Sequence, residues 1–332
     1  MSFLADRAAE TDRRLAELAR ELEKELGADA ARILRQDTCI YVVGSGGRGE
    51  MSAHSDADLF VARVRRDPSD VDALFVRQSI ARALFRLGFP DPSQGGAFLA
   101  MHTDAELCGQ LGTPQDDAQN TLTARMLLLL EGRVLVGAVA YDALLHEIMR
   151  AYWTDAVAHQ FDHQPFTLVN DIVRYWRILL LNYVAKNAQK EKAAYSPTTK
   201  PERRLRSYKL RFSRCMTCFS MLASLLVTTA KGSVDAIDVL ALAKKSPVER
   251  LQALQLADAR VGELVAKLLE LYEAFLGTTA ADKKTLLASF ADDAYAREKT
   301  ADGNRFGDTM FDILQVLGAS GRPRQLFRHM VV

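Results

Sequence analysis

The spacing of apolar residues changes along the first hundred residues of the chain. Leucines recur at intervals of three and four from Leu15 to Leu26, with charged residues between them, which predicts an amphipathic helix over residues 4–26. Short runs rich in β-branched and aromatic residues follow, and these predict buried strands. The predicted strands are Thr38–Val43, Ala57–Val64 and Ala97–His102, with a helix over Asp70–Leu87 before the third. The length of the third run also allows a buried helix.

Helical periodicity replaces the strand pattern from about Gln119 onward. The predicted helices are Leu122–Glu131, Ala140–His159, Phe166–Lys186, Leu205–Thr229, stretches between Val234 and Phe290, Phe306–Leu317 and Pro323–Met330. The sequence therefore predicts an α+β protein. A mixed domain with a small β-sheet is expected over residues 1–140, with its core at 37–137, followed by an all-α helical bundle over residues 141–332.

The composition is that of an average globular protein and argues against several functional classes. The chain has 332 residues, 48% of them hydrophobic and 26% charged. Its 43 basic and 42 acidic residues give a formal net charge of +1, so no overall field would draw the chain to nucleic acid or a membrane. Its apolar runs are much shorter than a membrane span, and four cysteines are too few for a disulfide framework. We therefore expect a cytoplasmic protein with reduced cysteines and no membrane partner.

A glycine-rich segment follows the first predicted strand. Gly44 and Ser45 begin it, and further glycines lie on both sides of Arg48. Small residues at the end of a strand allow backbone N–H groups to approach an anion closely, and the Ser45 hydroxyl adds a donor. The segment lacks the Gly-Lys-Ser/Thr of a P-loop and the glycine spacing of a dinucleotide fold. Arg48 either contacts a substrate or forms an ion pair with Glu50 that braces the loop.

Two aspartates stand at the start of the second predicted strand. Because side chains in a strand repeat every two residues, Asp56 and Asp58 are expected on one face. Paired carboxylates beside a phosphate-binding loop suit Mg²⁺, a hard cation that prefers oxygen ligands. The alternative is ordinary loop chemistry, since glycine-rich turns followed by exposed aspartates occur in many proteins.

Together these residues resemble the DNA polymerase β-like nucleotidyltransferase superfamily, whose hallmark is Gly-Ser followed by Asp-x-Asp. The finer pattern, Gly44–Glu50 and then Ser55–Asp58, is most similar to the PII uridylyltransferase and glutamine synthetase adenylyltransferase branch. Downstream, Thr121-x-x-x-Arg125 and the stretch to Gly137 are similar to a helix of those enzymes. The resemblance covers about residues 37–137.

The resemblance implies a reaction and a role for each motif residue. Gly44 and Ser45 would hold the β- and γ-phosphates of a nucleoside triphosphate, with Arg48 as a further nucleotide-binding residue. Asp56 and Asp58 would bind Mg²⁺ or Mn²⁺ as the catalytic pair. The hydroxyl of a protein acceptor, or of RNA as the second choice, would attack the α-phosphorus and release pyrophosphate.

The superfamily usually carries a third carboxylate on a later strand. The predicted strand Ala97–His102 contains no acid, but Asp91 precedes it and Asp104 follows it. Asp104 is therefore the possible third acid. The absence of an acid from the strand itself suggests the alternative of a catalytically degenerate nucleotide-binding sensor. A toxin–antitoxin or defence component with the same fold and a structural adaptor are further alternatives.

The predicted bundle contains a strongly basic stretch from Lys186 to Arg214, with ten lysines and arginines against two acids. Within it, Ala193–Arg204 carries two prolines and predicts a loop. The charge suits either a wall beside a triphosphate or RNA, or a solvated loop. Lys209 and Ser213 are four residues apart and share a helix face. Because superfamily members use a lysine and a serine of the following helical domain to grip the triphosphate, the resemblance makes these two candidate nucleotide-binding residues.

Two short patterns in the bundle have simpler explanations. Cys215 and Cys218 have C-x-x-C spacing inside an apolar helical run, which favours core packing over zinc because no second ligand pair exists. Arg324 and His329 match the R-x-x-x-x-H spacing of a family of helical ribonucleases, a pattern that often occurs by chance.

Overall fold

The computed structural model describes residues 3–34, 37–65, 69–90, 99–159, 162–193, 199–256 and 258–331. The chain divides into two compact units. The first comprises Met1–Ala158 and Ala236–Ser246, and the second comprises His159–Asp235 and Pro247–Val332. This division falls later in the chain than residue 140 and assigns one returning helix to the first unit.

The first part of the chain alternates helices and strands. In chain order these elements are α1 (Phe3–Leu26), α2 (Ala30–Leu34), β1 (Thr38–Val43), α3 (Gly44–Gly47), β2 (Asp58–Arg63), α4 (Asp70–Arg86), β3 (Met101–Thr103), α5 (Asp104–Gly109), α6 (Pro114–Ala118), α7 (Thr121–Glu131), β4 (Arg133–Val136) and α8 (Ala138–Tyr152). The remaining elements are helical. They are α9 (Phe166–Ala193), α10 (Thr199–Lys209), α11 (Cys215–Lys231), α12 (Ala236–Ala243), α13 (Pro247–Leu254), α14 (Ala259–Thr278), α15 (Lys283–Ala291), α16 (Asp293–Leu317) and α17 (Gly321–Val331). The predicted α+β class is confirmed.

A four-stranded mixed sheet forms the centre of the first unit. Its strand order is β3-β2-β1-β4, in which β1 is antiparallel to both of its neighbours and β2 is parallel to β3. The register between β1 and β2 pairs Val43 with Asp58, so the end of one strand lies beside the start of the other. This pairing brings the glycine-rich segment and the aspartates to the same edge of the sheet.

Helices cover both faces of this sheet. On one face, the leucines of α1 and the inner side of α4 pack against Ile40, Val42, Leu59 and Val61. On the other face, Tyr41 stacks on Phe60 with ring centroids 5.5 Å apart and lies 5.7 Å from the ring of Tyr141 in α8. Side chains of β1 and β2 therefore alternate between two buried layers, as their unbroken apolar runs require.

Two parts of the fold differ from the sequence prediction. The strand β4 follows an apolar helix after a single glycine, so its four residues carried no separate strand signal. The segment Thr199–Arg204 is helical, where the two prolines predicted a loop. Pro201 lies in the first turn of α10, where the missing N–H of proline breaks no helical hydrogen bond. Residues 194–198 of the predicted loop, and residues 97–98 of the predicted third strand, lie outside the described residues.

The second unit is a helical bundle with an aromatic centre. Phe212 lies 4.8 Å from Phe275 and 4.7 Å from Phe306, measured between ring centroids, and Tyr208 lies 4.9 Å from Phe212. Within the described part of the chain, one continuous helix, Lys200–Lys231, has the length and apolar composition of a membrane span. Its most apolar window is 72% buried inside the protein, a property of core helices.

The C-x-x-C pair lies on this same long helix. Cys215 and Cys218 are buried free cysteines. Burial raises the pKa of the Cys215 thiol to about 12, which keeps it protonated at neutral pH. A protonated thiol in a packed helix acts as a small apolar side chain.

Candidate functional site

The chain turns sharply where β1 ends. Val43 is extended, and Gly44 then adopts a left-handed conformation with φ +65°, which favours glycine. A Cβ atom on Gly44 would lie 3.0 Å from the Oδ2 atom of Asp58. The structure thus brings the first residue of the glycine-rich segment against the second aspartate, as the Val43–Asp58 pairing requires.

At the next two glycines of the segment, other protein atoms occupy the space that a side chain would need. A Cβ on Gly46 would meet Cγ2 of Val42 at 2.5 Å, and a Cβ on Gly47 would meet the carbonyl oxygen of Glu131 at 1.7 Å. Both glycines are buried. Their role is therefore to let the single helical turn α3 pack against β1 and α7, whereas the sequence suggested that all the glycines open the loop to an anion.

A buried ion-pair cluster holds this turn. Arg48 donates from Nε to Glu50 Oε2 and from Nη1 to Glu131 Oε2, both at 2.7 Å. The other carboxylate oxygen of Glu131 accepts the backbone N–H of Gly44 at 3.1 Å. The Arg48 side chain is 7% exposed. The Arg48–Glu50 ion pair is present, so the bracing alternative for Arg48 describes this structure.

The part that Glu131 plays in this cluster was not predicted from the sequence. Its carboxylate is fully buried and links the end of α7 to both Gly44 and Arg48. A signal existed, because Glu131 is an acid that directly follows the apolar run Met126–Leu130. A carboxylate at the buried end of such a helix requires a cationic partner, and Arg48 supplies it.

Three polar side chains of the motif reach the protein surface. Ser45, Asp56 and Asp58 are each half-buried, whereas Gly44 and Arg48 are buried. Ala57, between the aspartates, is 3% exposed and belongs to the core between the sheet and helices α1 and α4. Since neighbouring residues of an extended chain point to opposite sides, the two carboxylates lie away from that core.

The loop between the turn and the aspartates is tied to α1. The Met51 N–H donates to the Thr11 hydroxyl at 2.9 Å, and Arg7 donates to the Met51 carbonyl at 3.2 Å. The Ser52 N–H donates to the Ser55 hydroxyl at 2.9 Å. Thr11 is fully buried on the leucine side of α1. Thr11 is thus a polar residue on an otherwise apolar helix face. The sequence therefore contained a signal that α1 helps to position the site.

The structure separates Asp104 from the two aspartates. β2 and β3 are parallel, and Arg63 pairs with Thr103, so Asp104 follows the end of β2 that is opposite to Asp58. Five residues of strand place these ends roughly 17 Å apart. The Asp104 carboxylate accepts the backbone N–H of Arg65 at 3.2 Å. The strand direction therefore removes Asp104 from the position that a third acid would need.

The described residues contain no group of three or more His, Cys, Asp or Glu side chains that could hold a metal ion. Asp91 lies outside the described residues. What the structure offers a cation is the pair Asp56 and Asp58, with Oδ2 of Asp58 close to the turn at Gly44. Mg²⁺ is commonly held by one or two carboxylates together with phosphate oxygens of the substrate. The pair thus suits a cation that arrives with a triphosphate.

Lys209 and Ser213 belong to the second unit. Lys209 is exposed at the end of α10, and Ser213 is 6% exposed in the π-helical segment Leu210–Arg214. The Ser213 hydroxyl donates to the carbonyl oxygen of Lys209 at 2.9 Å. The two residues are neighbours on one helix face, as expected, but the serine hydroxyl forms its hydrogen bond with the backbone of its own helix.

The Thr121-x-x-x-Arg125 spacing has a structural role. Thr121 and Arg125 both contact the fully buried Asp116, at 2.6 Å from Thr121 Oγ1 and 2.5 Å from Arg125 Nη2. Arg125 also donates to the Tyr152 hydroxyl at 2.8 Å, and these partners raise the pKa of its guanidinium in spite of burial. This network joins α6, α7 and α8.

Comparison with known protein families agrees with this geometry. A family model described as "Putative nucleotidyltransferase DUF294" matches residues 1–125, which include α1, the glycine-rich turn and both aspartates. No curated protein is similar enough to the chain to count as a match. The particular likeness to the PII uridylyltransferase branch stays a prediction. Residues 1–125 are thus similar to a nucleotidyltransferase-type domain.

Proposed function

We propose that the first unit transfers a nucleoside monophosphate from a nucleoside triphosphate to an acceptor hydroxyl and releases pyrophosphate. The observation that carries this proposal is the contact between the glycine turn and the second aspartate: a Cβ on Gly44 would lie 3.0 Å from Asp58 Oδ2. A phosphate held at the turn would therefore adjoin a carboxylate that can share a cation with it. The match to a nucleotidyltransferase family over this same region supports the assignment.

Each motif residue has a distinct part in this proposal. The Ser45 hydroxyl, half-buried at the turn, would donate to the triphosphate. Asp56 and Asp58 would hold Mg²⁺ or Mn²⁺, which when bound neutralises phosphate charge and polarises the phosphoryl group. The Arg48 guanidinium pairs with the carboxylates of Glu50 and Glu131. Arg48 would therefore support nucleotide binding by holding the shape of the turn rather than by contacting the nucleotide.

The chemistry needs positioning more than covalent participation by the protein. Glu131 and Arg48 fix the turn, and α1 fixes the loop that leads to the aspartates. Such buried, mutually bonded supports reduce the reorganisation needed when charge develops on the α-phosphorus. We propose a protein hydroxyl as acceptor and RNA as the second choice. The basic residues around Lys209 are the feature that favours RNA.

The test uses the four α-phosphorus-labelled nucleoside triphosphates with Mg²⁺ or Mn²⁺ and lysate from the native host. Label that vanishes with protease shows a protein acceptor, and label that vanishes with nuclease shows RNA. The Asp56→Ala/Asp58→Ala variant should abolish labelling. Asp142→Asn is the matched control, since Asp142 is 52% exposed in α8 and pairs with Lys244. Labelling that survives in the double variant would contradict the proposal.

A nucleotide sensor is the second candidate, because the described residues contain no group of three or more acidic, histidine or cysteine side chains that could hold a metal ion. A sensor would bind a triphosphate through the same residues and release no pyrophosphate. Calorimetric titration of the wild type and the double variant separates the two functions. Binding that depends on the aspartates, with no labelled product under any condition, would favour the sensor.

A further inference from the structure

The outer face of α4 carries a regular stripe of exposed apolar residues. Val71 is 71% exposed, Leu74 is 69% exposed and Phe85 is 85% exposed. Gln78 and Ala81 lie between them and are also exposed. These positions are spaced alternately by three and four residues along 17 residues of helix, which is the repeat of a helix that packs against another helix.

The opposite face of α4 already serves the fold. Val76, Ile80, Ala83 and Leu84 are buried in the core against α1 and the sheet. The exposed stripe is therefore additional to the residues that the domain needs for its own core. Single exposed apolar residues are ordinary, but several at helical spacing, interrupted here only by Gln78, mark an interaction surface.

We propose that α4 pairs in an antiparallel manner with α4 of a second copy of this chain. The stripe is self-complementary about its middle, because one polar residue, Gln78, stands between two apolar halves. A two-fold axis near Gln78 lets its amide meet the same amide of the other copy, both as donor and as acceptor. A pairing shifted by seven residues would place Gln78 against an apolar side chain and leave its amide without a partner.

The charges at the two ends of α4 select the antiparallel orientation. Asp70 is exposed at the start of the helix, whereas Arg82 and Arg86 lie near its end with side chains 61% and 50% exposed. Arg86 also contacts Glu21 and Glu25 of α1 but keeps half of its surface free. Antiparallel pairing places Asp70 of one copy near these arginines of the other, and it aligns the helix dipoles favourably. A parallel pair would place like charges together.

A single helix pair gives a small interface, so we expect a reversible dimer whose population rises with concentration. Sedimentation velocity over a hundredfold range of concentration should show a monomer–dimer equilibrium. Leu74→Glu/Phe85→Glu should weaken dimerisation at least tenfold. Val139→Glu/Ile237→Glu is the matched control, because these residues are 64% and 75% exposed on other helices of the same unit. A monomer at every concentration, or equal dimerisation of both variants, would overturn the proposal.

Cross-linking through engineered cysteines tests the orientation. With a short bismaleimide, Gln78→Cys should cross-link to itself, and Val71→Cys/Phe85→Cys should also form a dimer. Val71→Cys alone should not, because its two copies would be about 21 Å apart along antiparallel helices. Efficient self-linking of Val71→Cys would overturn the antiparallel arrangement. The parent protein is the control, since Cys39, Cys215 and Cys218 are buried and Cys108 is half-buried.

Discussion

The two segments that the sequence assigned to nucleotide binding differ in how the fold uses them. In the first unit, the turn at Gly44 and the carboxylate of Asp58 come from neighbouring strands and meet. In the second unit, Lys209 and Ser213 also meet, but through a hydrogen bond from the serine hydroxyl to the lysine carbonyl. Both spacings predicted proximity correctly. Asp56 and Asp58 of the first segment are half-buried, whereas in the second segment Lys209 is exposed and Ser213 is buried.

The difference shows what a motif spacing can and cannot specify. An i, i+4 spacing fixes which residues share a helix face, but burial then depends on which helices cover that face. A motif that spans two paired strands is also constrained by the strand register, because a shift of the pairing by one residue would turn every side chain of the strand to the other face of the sheet. The motif on the paired strands is therefore the more strongly constrained of the two, and five experiments test the contrast.

Removing the arginine of the first segment should have the largest effect. Arg48→Met leaves the buried carboxylates of Glu50 and Glu131 without their shared cation. Loss of one partner from a buried ion pair lowers the free energy of unfolding by about 3–5 kcal/mol. Denaturant unfolding followed by circular dichroism measures this loss.

The matched control is Arg133→Met, which removes an ion pair with Asp12 of the same N···O length, 2.7 Å. Those side chains are 39% and 58% exposed, so the loss should be about 1 kcal/mol or less. Equal losses for the two variants would show that the cluster around Gly44 does not stabilise the turn.

The second segment is tested through triphosphate binding. Lys209→Ala should weaken binding about tenfold, or about 1.4 kcal/mol, if its ammonium group contacts phosphate. The melting temperature of the ligand-free protein should stay nearly unchanged, because Lys209 is exposed. Lys231→Ala, at the exposed end of α11, is the control for charge alone.

Ser213→Ala distinguishes the hydroxyl's two possible partners. Because the hydroxyl donates to the Lys209 carbonyl, its loss should change the unfolding free energy by less than about 1 kcal/mol and leave triphosphate binding unchanged. A loss of binding as large as that of Lys209→Ala would show that the hydroxyl turns to the nucleotide.

A smaller effect is expected at the acid that strand direction separates from the site. Asp104→Asn should retain nucleotidyl transfer, because Asp104 lies at the opposite end of β2 from Asp58. It should lower the unfolding free energy by about 0.3–1 kcal/mol, since Asp104 lies in the first turn of α5. Transfer assays and thermal unfolding check both expectations. Loss of transfer with unchanged stability would restore Asp104 as a catalytic candidate.

The sequence predicted those features that depend on local pattern. Both ends of β1 were predicted to the residue, and the ends of α1, α4 and α7 were predicted to within one residue. These elements have a clear hydrophobic periodicity and flanking residues that mark where they begin and end. Features that depend on pairing between distant segments were not predictable. Strand β4, the direction of β3 and the Glu131–Arg48 contact all require knowledge of which elements become neighbours. The same limit explains why the sequence alone could not place Asp104 at the opposite end of β2 from Asp58.

A further expected effect is a pH dependence that originates on the face of the sheet that carries Asp58. His102 pairs with Ala62 across β2 and β3, and its ring stacks on Phe60 at 6.0 Å. Burial lowers the pKa of His102 below its ordinary value of 6.5, and Glu106 opposes this only in part.

The folded protein therefore holds this imidazole neutral, whereas the unfolded chain takes up a proton below about pH 6.5. Stability from this group is fully present above that pH and falls as the pH drops towards the folded pKa. Because at most one proton is involved, the slope stays below about 1.4 kcal/mol per pH unit. His102→Phe keeps the ring contact and removes the proton site, so the difference in unfolding free energy between the wild type and this variant should shift in favour of the variant on acidification. A difference that stays constant between neutral and acidic pH would mean that His102 is solvated well enough to titrate normally, and that this face of the sheet is more open to water than the face that α1 and α4 cover.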